Sequence, residues 1–197
     1  MLKILTVPNT ILTSETKKVE QFDGSFAKLV KEMDQTLTAQ TNPQGVGLAA
    51  PQIGKNIAIF IVKPTPEAKT EVFVNPKIIK VEAGNPEGSG KYASNPQGSE
   101  GKKRKHKPVK LEGCLSIPKI WGTIARSGKI LLEFQDLTGY IHKKLFSGFK
   151  ATIIQHELDH LIGILFTQRA LEQNSQLFEE EEGKLMPLRF QKERVNA

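Results

Sequence analysis

The sequence predicts a single domain that combines helices and strands. Its 197 residues contain no long Ser/Gly linker that would divide them into halves, and this length is enough to bury one hydrophobic core. One segment near the N-terminus repeats its apolar residues with helical spacing, whereas several shorter runs are rich in β-branched and aromatic residues. Hydrophobic residues make up 38% and charged residues 25% of the chain, which is typical of an ordinary globular protein.

The first predicted element is a helix over residues 25–40. Its apolar residues recur at positions i, i+3, i+4, i+7 and i+11. They are Phe26, Leu29, Val30, Met33 and Leu37. Either Asp23 or Ser25 can accept hydrogen bonds from the first N–H groups and so cap this helix. The sequence Asn-Pro-Gln-Gly at 42–45 ends it, and a Gly-rich turn into small residues follows.

Five short segments are predicted as strands. Residues 56–62 form an apolar run, as expected for a buried strand. Segments 72–75 and 77–81 are predicted as two further strands, which Pro76 separates because it lacks the N–H that a strand needs. Two more strands are predicted over 128–135 and 138–146, with turn residues between them.

Residues 84–110 have a different composition. They are rich in Gly, Pro, Ser and Asn, they contain few apolar residues, and six basic residues follow one another closely at their end. These six, which we call the basic tract, are Lys102, Lys103, Arg104, Lys105, Lys107 and Lys110. Without them, 22 basic residues stand against 21 acidic ones, so the net charge of +7 is a local feature. The segment is predicted to be a long surface loop, either solvated or bound to a polyanion.

A second helix is predicted to begin at Ser147 or Gly148 and to end near Gly163. It contains the sequence His156-Glu157-Leu158-Asp159-His160 within an apolar run. Residues four apart on a helix are separated by about 6 Å and lie on one face, so the two imidazoles can bind one metal ion. Glu157 lies beside them, where it can act as a base. A solvated helix face is the alternative, although buried His and Glu side chains need partners.

The ends of the chain and its single cysteine carry less information. A short helix is predicted near 169–182.

The N-terminus resembles neither a signal nor a transit peptide, and no apolar run approaches the roughly 20 residues of a membrane span, so we expect a cytoplasmic protein. Cys114 has no partner for an internal disulfide. It is either a small buried hydrophobe or a third metal ligand beside the two histidines.

Three segments together carry a resemblance to a known family. They are Gly45-Val-Gly-Leu-Ala-Ala-Pro-Gln52, Glu112-Gly-Cys-Leu-Ser-Ile-Pro118 and Gln155-His-Glu-Leu-Asp-His160. In this order they closely resemble the signature of peptide deformylase, in the form common in Gram-negative bacteria and organelles. The resemblance implies an α+β fold with antiparallel β-sheets wrapped around a central helix that bears the HExxH motif. It covers a single catalytic domain at 1–171, with the insertion at 84–110, and leaves a partly helical tail at 172–197.

The resemblance also implies a metal site and a reaction. The implied metal ligands are Cys114, His156 and His160. Three protein ligands and one water leave an exchangeable position, as in catalytic sites. The family typically uses Fe²⁺, which we expect to be the native ion, and it accepts Zn²⁺, Ni²⁺ or Co²⁺. The reaction removes the N-formyl group from the initiator methionine of nascent peptides and releases formate. Glu157 is the implied general base, and the Gln52 side-chain amide and the Leu115 backbone N–H are the implied oxyanion donors.

Substrate binding is implied at a pocket and at two strands. The residues that match the wall of a methionine pocket are Val46, Phe149, Thr152, Ile153 and His156. The peptide backbone is expected to pair as an added strand between Gly47 and the edge formed by Glu112 and Gly113. Glu112 and Arg126 match polar positions that brace the site, and an exposed ion pair worth under about 1 kcal/mol is the alternative. Trp121 occupies a place where the bacterial form of the family often carries a basic residue. The preference for substrate residues beyond the first therefore stays open.

Two other functions fit parts of the sequence. A zinc endopeptidase would use the same two histidines, but it needs a third ligand downstream, and the candidates there are Glu172 and the glutamates at 179–182. A non-catalytic protein could bind the ribosome or RNA through the basic tract, although that tract lacks aromatic residues that would stack on bases. Expected partners are formyl-Met nascent peptides and the ribosome near its exit site, with no role for DNA or a membrane.

Overall fold

The computed structural model describes residues 1–82 and 111–188. The insertion predicted at 84–110, together with its basic tract, lies outside the described residues. The helices are α1 (Gly24–Thr38), α2 (Gly148–Leu161) and α3 (Phe166–Glu172). The strands are β1 (Gly47–Ala49), β2 (Ile59–Val62), β3 (Glu71–Glu82), β4 (Glu112–Cys114), β5 (Ile117–Gly122), β6 (Lys129–Gln135), β7 (Ile141–Ser147), β8 (Leu177–Glu181) and β9 (Lys184–Pro187). Within the described residues, no helix is long and apolar enough to cross a membrane.

Two antiparallel sheets form the strand part of the fold. The first has the order β1-β2-β3-β6-β7 and the second the order β4-β5-β8-β9. Every pairing between neighbouring strands in these two sheets is antiparallel. The expected combination of helices and antiparallel sheets is therefore confirmed. In the described part of the chain, β1 and β4 are edge strands of different sheets.

Helix α1 lies within one residue of its predicted start and two of its predicted end. Asp23 caps it, because its carboxylate accepts hydrogen bonds from the N–H groups of Ser25 and Phe26. The predicted apolar face is buried for the most part, and Met33 and Leu37 are fully inaccessible to solvent. This face packs against apolar residues of β1 and β2, so the helix is stabilised by the core that its periodicity predicts.

Strand β3 corrects the prediction of two strands separated by Pro76. The strand runs without interruption from Glu71 to Glu82, but its pairing with β6 shifts register between Val74 and Lys77. Proline is tolerated at such a bulge because its missing N–H is not needed there. Asn75 adopts a φ of 48°, and its side chain bonds to the backbone of Val19 and to Gln135. These bonds hold the bulge in place.

The C-terminal segment corrects a second prediction. The helix expected near 169–182 is wrong: α3 ends at Glu172, and β8 and β9 form a hairpin after it. Strand β8 pairs with β5, which places Phe178 opposite Trp121 and buries Leu177. Helix propensity is a weak preference that such pairing overrides, and a run of glutamates therefore adopts a strand.

Helix α2 packs one face against the five-stranded sheet. Its buried apolar residues include Ala151, Ile153, Ile154 and Leu161, and they contact the core that Phe60, Phe73, Ile130 and Leu132 form within the sheet. The helix also contacts strands β1, β2, β6 and β7. Since apolar residues hold this face against the sheet, the position of the polar residues of α2 is fixed by packing.

Candidate active site

One pocket lies where α2 meets the edge strands β1 and β4. Its lining contains twelve of the thirteen residues to which the sequence assigns metal binding, catalysis or substrate binding, and His160 is the thirteenth. Arg126, expected to brace the site, is also outside the lining. The twelve are Val46, Gly47, Gln52, Glu112, Gly113, Cys114, Leu115, Phe149, Thr152, Ile153, His156 and Glu157. Trp121, which the resemblance relates to preference beyond the first substrate residue, lines the same pocket. Further lining residues, to which sequence reasoning assigned no role of their own, are Pro43, Gln44, Gly45, Leu111 and Ile124. Three segments that are far apart in sequence therefore form one concave site.

Cys114, His156 and His160 form a buried cluster, and two of its members, Cys114 and His156, line this pocket. One ligand atom from each lies within 4.8 Å of the others, and the distance from Cys114 Sγ to His160 Nε2 is 3.2 Å. The two histidines come from successive turns of α2, and their ring centroids are 5.0 Å apart. Cys114 comes from the end of β4. A thiol and two imidazoles at these distances can hold one metal ion.

The electrostatics of this cluster favour a thiolate. Burial opposes ionisation of Cys114, but the charges and hydrogen bonds of His160 and His156 outweigh burial and lower the pKa of the thiol to about 5. Burial also opposes the charged form of His156, and Glu112 and Cys114 outweigh it and raise the pKa of His156. The thiolate is the form of cysteine that binds metals, so the surroundings of Cys114 prepare it for that role.

A chain of charged side chains runs from His156 to the surface. His156 Nδ1 lies 2.7 Å from Glu112 Oε1, and Arg126 donates to both oxygens of Glu112 at 2.9 and 2.6 Å. Arg126 also donates to Asp159 at 2.6 Å, and Asp159 accepts from Arg169. Because Arg126 is only 7% exposed, the Glu112–Arg126 pair is not the exposed ion pair considered as an alternative.

This series of charged side chains fixes the orientation of His156. Burial disfavours the charged form of Glu112, but His156 and Arg126 outweigh burial and lower the pKa of Glu112 to about 2. Its carboxylate is therefore ionised and engaged on two sides, which leaves Nε2 of His156 for the cluster. Sequence reasoning missed Asp159 and Arg169. The sequence could have revealed this contact through Asp159, since a carboxylate within an apolar helix requires a buried partner.

Glu157 lies against Gly47 in the wall of the pocket. Its side chain is buried, and burial is the main reason that its pKa rises to about 7. Its Oε2 atom has no hydrogen-bond partner in the described part of the chain. A carboxylate with a pKa near neutral can both accept and return a proton, which is what a general acid–base catalyst needs.

Gly47 is the residue that leaves room for this carboxylate. A Cβ atom at position 47 would lie 2.3 Å from Glu157 Oε1 and 2.9 Å from Ile153 Cγ2. The side chain of Glu157 can move away from such a contact, so a substitution should displace this carboxylate and leave the fold intact.

We therefore expect Gly47→Ala to lower turnover about 10²-fold while metal content stays unchanged, since small displacements of a catalytic group cost rates of this order. Gly24→Ala is the matched control because nothing lies within 4 Å of the new atom. Steady-state kinetics and elemental analysis measure both. Normal turnover in Gly47→Ala would contradict the role given to the contact.

Gln52 places its side-chain amide next to Cys114. Its Oε1 accepts a hydrogen bond from the N–H of Ala49, and its Nε2 donates to Ser116 Oγ at 3.2 Å and lies 3.5 Å from Cys114 Sγ. The side chain is almost fully buried, so these bonds determine its orientation. Sequence reasoning gave Ser116 no role of its own, although it belongs to the Cys114 motif.

Comparisons with known proteins identify the family. Residues 1–176 match the polypeptide deformylase family. A peptide deformylase of Dictyoglomus turgidum is 33% identical over 175 residues, which cover 89% of this chain and 96% of that protein. A chloroplastic peptide deformylase 1B of Oryza sativa is 32% identical over 171 residues, covering 85% of this chain and 54% of that one.

Solved structures agree with the sequence relatives. The crystal structure of a plant peptide deformylase has a TM-score of 0.70 and 32% identity, covering 87% of this chain and 82% of that chain. Peptide deformylase from Thermotoga maritima has a TM-score of 0.67 and 28% identity, covering 86% of this chain and 97% of that chain. The chain thus belongs to the peptide deformylase family, whose members remove the N-formyl group from nascent peptides and typically depend on a metal ion.

Proposed function

We propose that this chain removes the formyl group from formyl-Met peptides at the pocket between α2, β1 and β4. The observation that carries the proposal is the buried cluster of Cys114, His156 and His160 with Glu157 beside it. Three ligands to one metal ion and one carboxylate of raised pKa are the parts that metal-assisted amide hydrolysis needs. The reaction converts a formamide and water into formate and a free amine.

The residues present fit one divalent metal ion. Cys114 would bind through its thiolate and the two histidines through their imidazoles, with Glu112 as the carboxylate that holds the second nitrogen of His156. When bound, the ion supplies Lewis acidity that makes water a nucleophile near neutral pH. Fe²⁺ remains the expected native ion on the family resemblance. Zn²⁺, Ni²⁺ and Co²⁺ remain alternatives, since thiolate and imidazole ligands do not select among these metals.

Glu157 moves the proton in this mechanism. It accepts a proton from the attacking water as the new carbon–oxygen bond forms at the formyl carbon. It then returns the proton to the nitrogen as the carbon–nitrogen bond breaks, which releases formate and the amine of methionine. A pKa of about 7 suits both steps, because one group must act as base and then as acid at the same pH.

Gln52 and Leu115 are proposed to stabilise the oxyanion. Gln52 Nε2 lies beside Cys114 Sγ in a buried position, and Leu115 lines the same pocket. A positioned donor in a site that excludes water stabilises charge that appears only in the transition state, and loss of one donor typically costs about 2.7–4 kcal/mol of barrier. The hydrogen bonds of Gln52 to Ala49 and Ser116 hold its amide in place before substrate arrives.

The walls of the pocket suit an extended peptide that begins with methionine. Val46, Phe149, Thr152 and Ile153 are proposed to surround the methionine side chain. The peptide backbone would pair with the two edge strands, next to Gly47 on β1 and next to Glu112 and Gly113 on β4. Backbone pairing does not depend on side chains, so one enzyme can process many chain ends.

A zinc endopeptidase is the weaker alternative. It would take its third ligand from downstream glutamates, whereas the residue that lies close to both histidines is Cys114. Glu172 contacts Arg169 and Gln168, and Glu180 accepts a hydrogen bond from Trp121. These carboxylates are engaged elsewhere in the structure.

The test is formate release from a formyl-Met-Ala-Ser peptide, measured beside the acetylated peptide of the same sequence. We expect formate and free Met-Ala-Ser from the first peptide and little product from the second. An endopeptidase would instead produce shorter fragments from longer versions of both peptides. Absence of formate with a metal-loaded enzyme would overturn the proposed function.

We also propose that the basic tract contacts ribosomal RNA where nascent chains emerge. The support is that six basic residues stand together in a chain that is otherwise nearly neutral. Replacing all six with Gln should weaken ribosome binding at low salt and reduce the dependence of log K on log salt by about 0.7–0.9 per lost phosphate contact. Turnover of a short formyl-Met peptide should stay the same. Unchanged ribosome binding would show that the tract is only solvated.

The cytoplasmic location likewise stays a prediction.

A further inference from the structure

The C-terminal hairpin of β8 and β9 lies beyond the residues that match the family. The match ends at residue 176, and β8 begins at Leu177. The hairpin is nevertheless part of the second sheet, because β8 pairs with β5 over Ile120, Trp121 and Gly122. Leu177 is buried in the core next to that sheet, and a Cβ atom at Gly122 would lie 2.6 Å from Leu177 Cδ2. The start of β8 is therefore packed tightly against β5.

Glu180 of this hairpin reaches the wall of the active-site pocket. Its Oε2 accepts a hydrogen bond of 2.8 Å from Nε1 of Trp121, and Trp121 lines the pocket. On its other side the indole lies against Gly113, where a Cβ atom would be 2.9 Å from Cε3 and Cζ3 of the ring. The ring is thus held at two points, by Glu180 at its nitrogen and by β4 at its six-membered edge.

The position of Trp121 relates it to the peptide that follows methionine. Gly113 belongs to the β4 edge along which the substrate backbone is proposed to run, and Trp121 is its register partner on β5. Leu111 and Ile124 add apolar surface in the same pocket. A substrate residue beyond methionine that points toward the second sheet would therefore meet the aromatic face of Trp121.

We propose that Trp121 is a specificity-determining residue and that Glu180 is its positioning residue. Trp121 forms an apolar wall for the side chains that follow methionine, and Glu180 sets the orientation of that wall. Glu180 lies after residue 176, where the match to the family ends. This inference rests on the proposed function. It leads us to expect that peptides with aromatic or aliphatic residues after methionine are processed better than peptides with acidic residues there.

The experiment compares formyl-Met-Phe-Ser, formyl-Met-Ala-Phe and the same two peptides with Asp in place of Phe. In the native enzyme, kcat/KM for the Phe peptides should exceed kcat/KM for the Asp peptides by about 3- to 10-fold at the second residue, the third residue or both. The difference should lie in KM. Trp121→Ala should bring that ratio close to one. Glu180→Ala should lower the ratio in the same direction, and Glu180→Gln should keep it because the amide oxygen can still accept the hydrogen bond.

A second variant separates the ring from its hydrogen bond. Trp121→Phe keeps an aromatic wall and removes the donor, so it should lower the ratio as much as Glu180→Ala, and the double variant should lower it no further. Glu179→Ala is the matched control on the same strand. Its side chain points to the opposite face of β8 from that of Glu180, so the ratio should not change.

A spectroscopic measurement adds a readout that does not depend on turnover. Trp121 is the single tryptophan of the chain, so its emission reports the surroundings of this ring alone. The product peptide Met-Phe-Ser should change the emission of the native enzyme and of Glu179→Ala, and Glu180→Ala should shift the emission before peptide is added. A Phe preference that survives in Trp121→Ala, or a native enzyme with no preference, would overturn the inference. Absence of formate from every peptide would instead overturn the proposed function.

Discussion

Replacing Glu157 with Gln should lower turnover of a formyl-Met peptide by at least the roughly 10²–10⁴-fold that general acid–base catalysis typically contributes. The substitution preserves the shape of the side chain beside Gly47 and removes only its ability to carry the proton. The three proposed metal ligands remain, so metal content should not change. The measurement is single-turnover kinetics with elemental analysis of the same preparation.

Glu20→Gln provides the control for this experiment, because Glu20 is exposed on the surface. It makes the same chemical change away from the pocket, and its turnover should equal that of the native chain. If Glu157→Gln hydrolysed formyl-Met peptides at near-native rates, another group would have to move the proton and the proposed mechanism would fail.

Removal of a metal ligand should have an equally large effect through a different cause. Cys114→Ala and His160→Ala should each lose the one metal ion expected per chain, and their turnover should fall to background. Catalytic metal sites typically have three protein ligands, so the loss of one should greatly weaken binding of the ion. Elemental analysis of protein purified without oxygen measures the metal directly.

His142→Ala is the control for the ligand variants. Its ring is paired with Asp136 away from the pocket, so metal content should remain at the native value. Stoichiometric metal in Cys114→Ala or His160→Ala would contradict the ligand assignment. Because this readout does not involve substrate, it separates the metal site from the identity of the reaction.

The sequence predicted those parts of the molecule whose signals are local. The spacing of apolar residues in α1 follows from the period of a helix, and the spacing of His156 and His160 follows from the same geometry. The resemblance carried by three short motifs then indicated which residues meet, and twelve of the thirteen residues assigned to metal binding, catalysis or substrate binding line one pocket. His160 is not in the lining but lies 3.2 Å from Cys114, which is.

The parts that the sequence did not predict depend on distant partners. The glutamates of β8 have no local reason to form a strand, and they do so because β5 offers its edge for pairing. Pro76 lies within β3 because a register shift relieves the need for its N–H. The burial of Arg126 follows from Glu112 and Asp159, which reach it from two different elements. Tertiary contacts of this kind leave little trace in a single sequence.

The gap between β1 and β4 has a consequence for when the enzyme can act. Under the proposed pairing with β1 and β4, an incoming chain end would have to supply a stretch of backbone whose N–H and C=O groups are still unpaired. A polypeptide whose first residues already belong to a helix or a strand has no such groups to offer. Processing would therefore compete in time with folding of the substrate, and the length of chain that has emerged before folding begins would decide how much of each protein is processed.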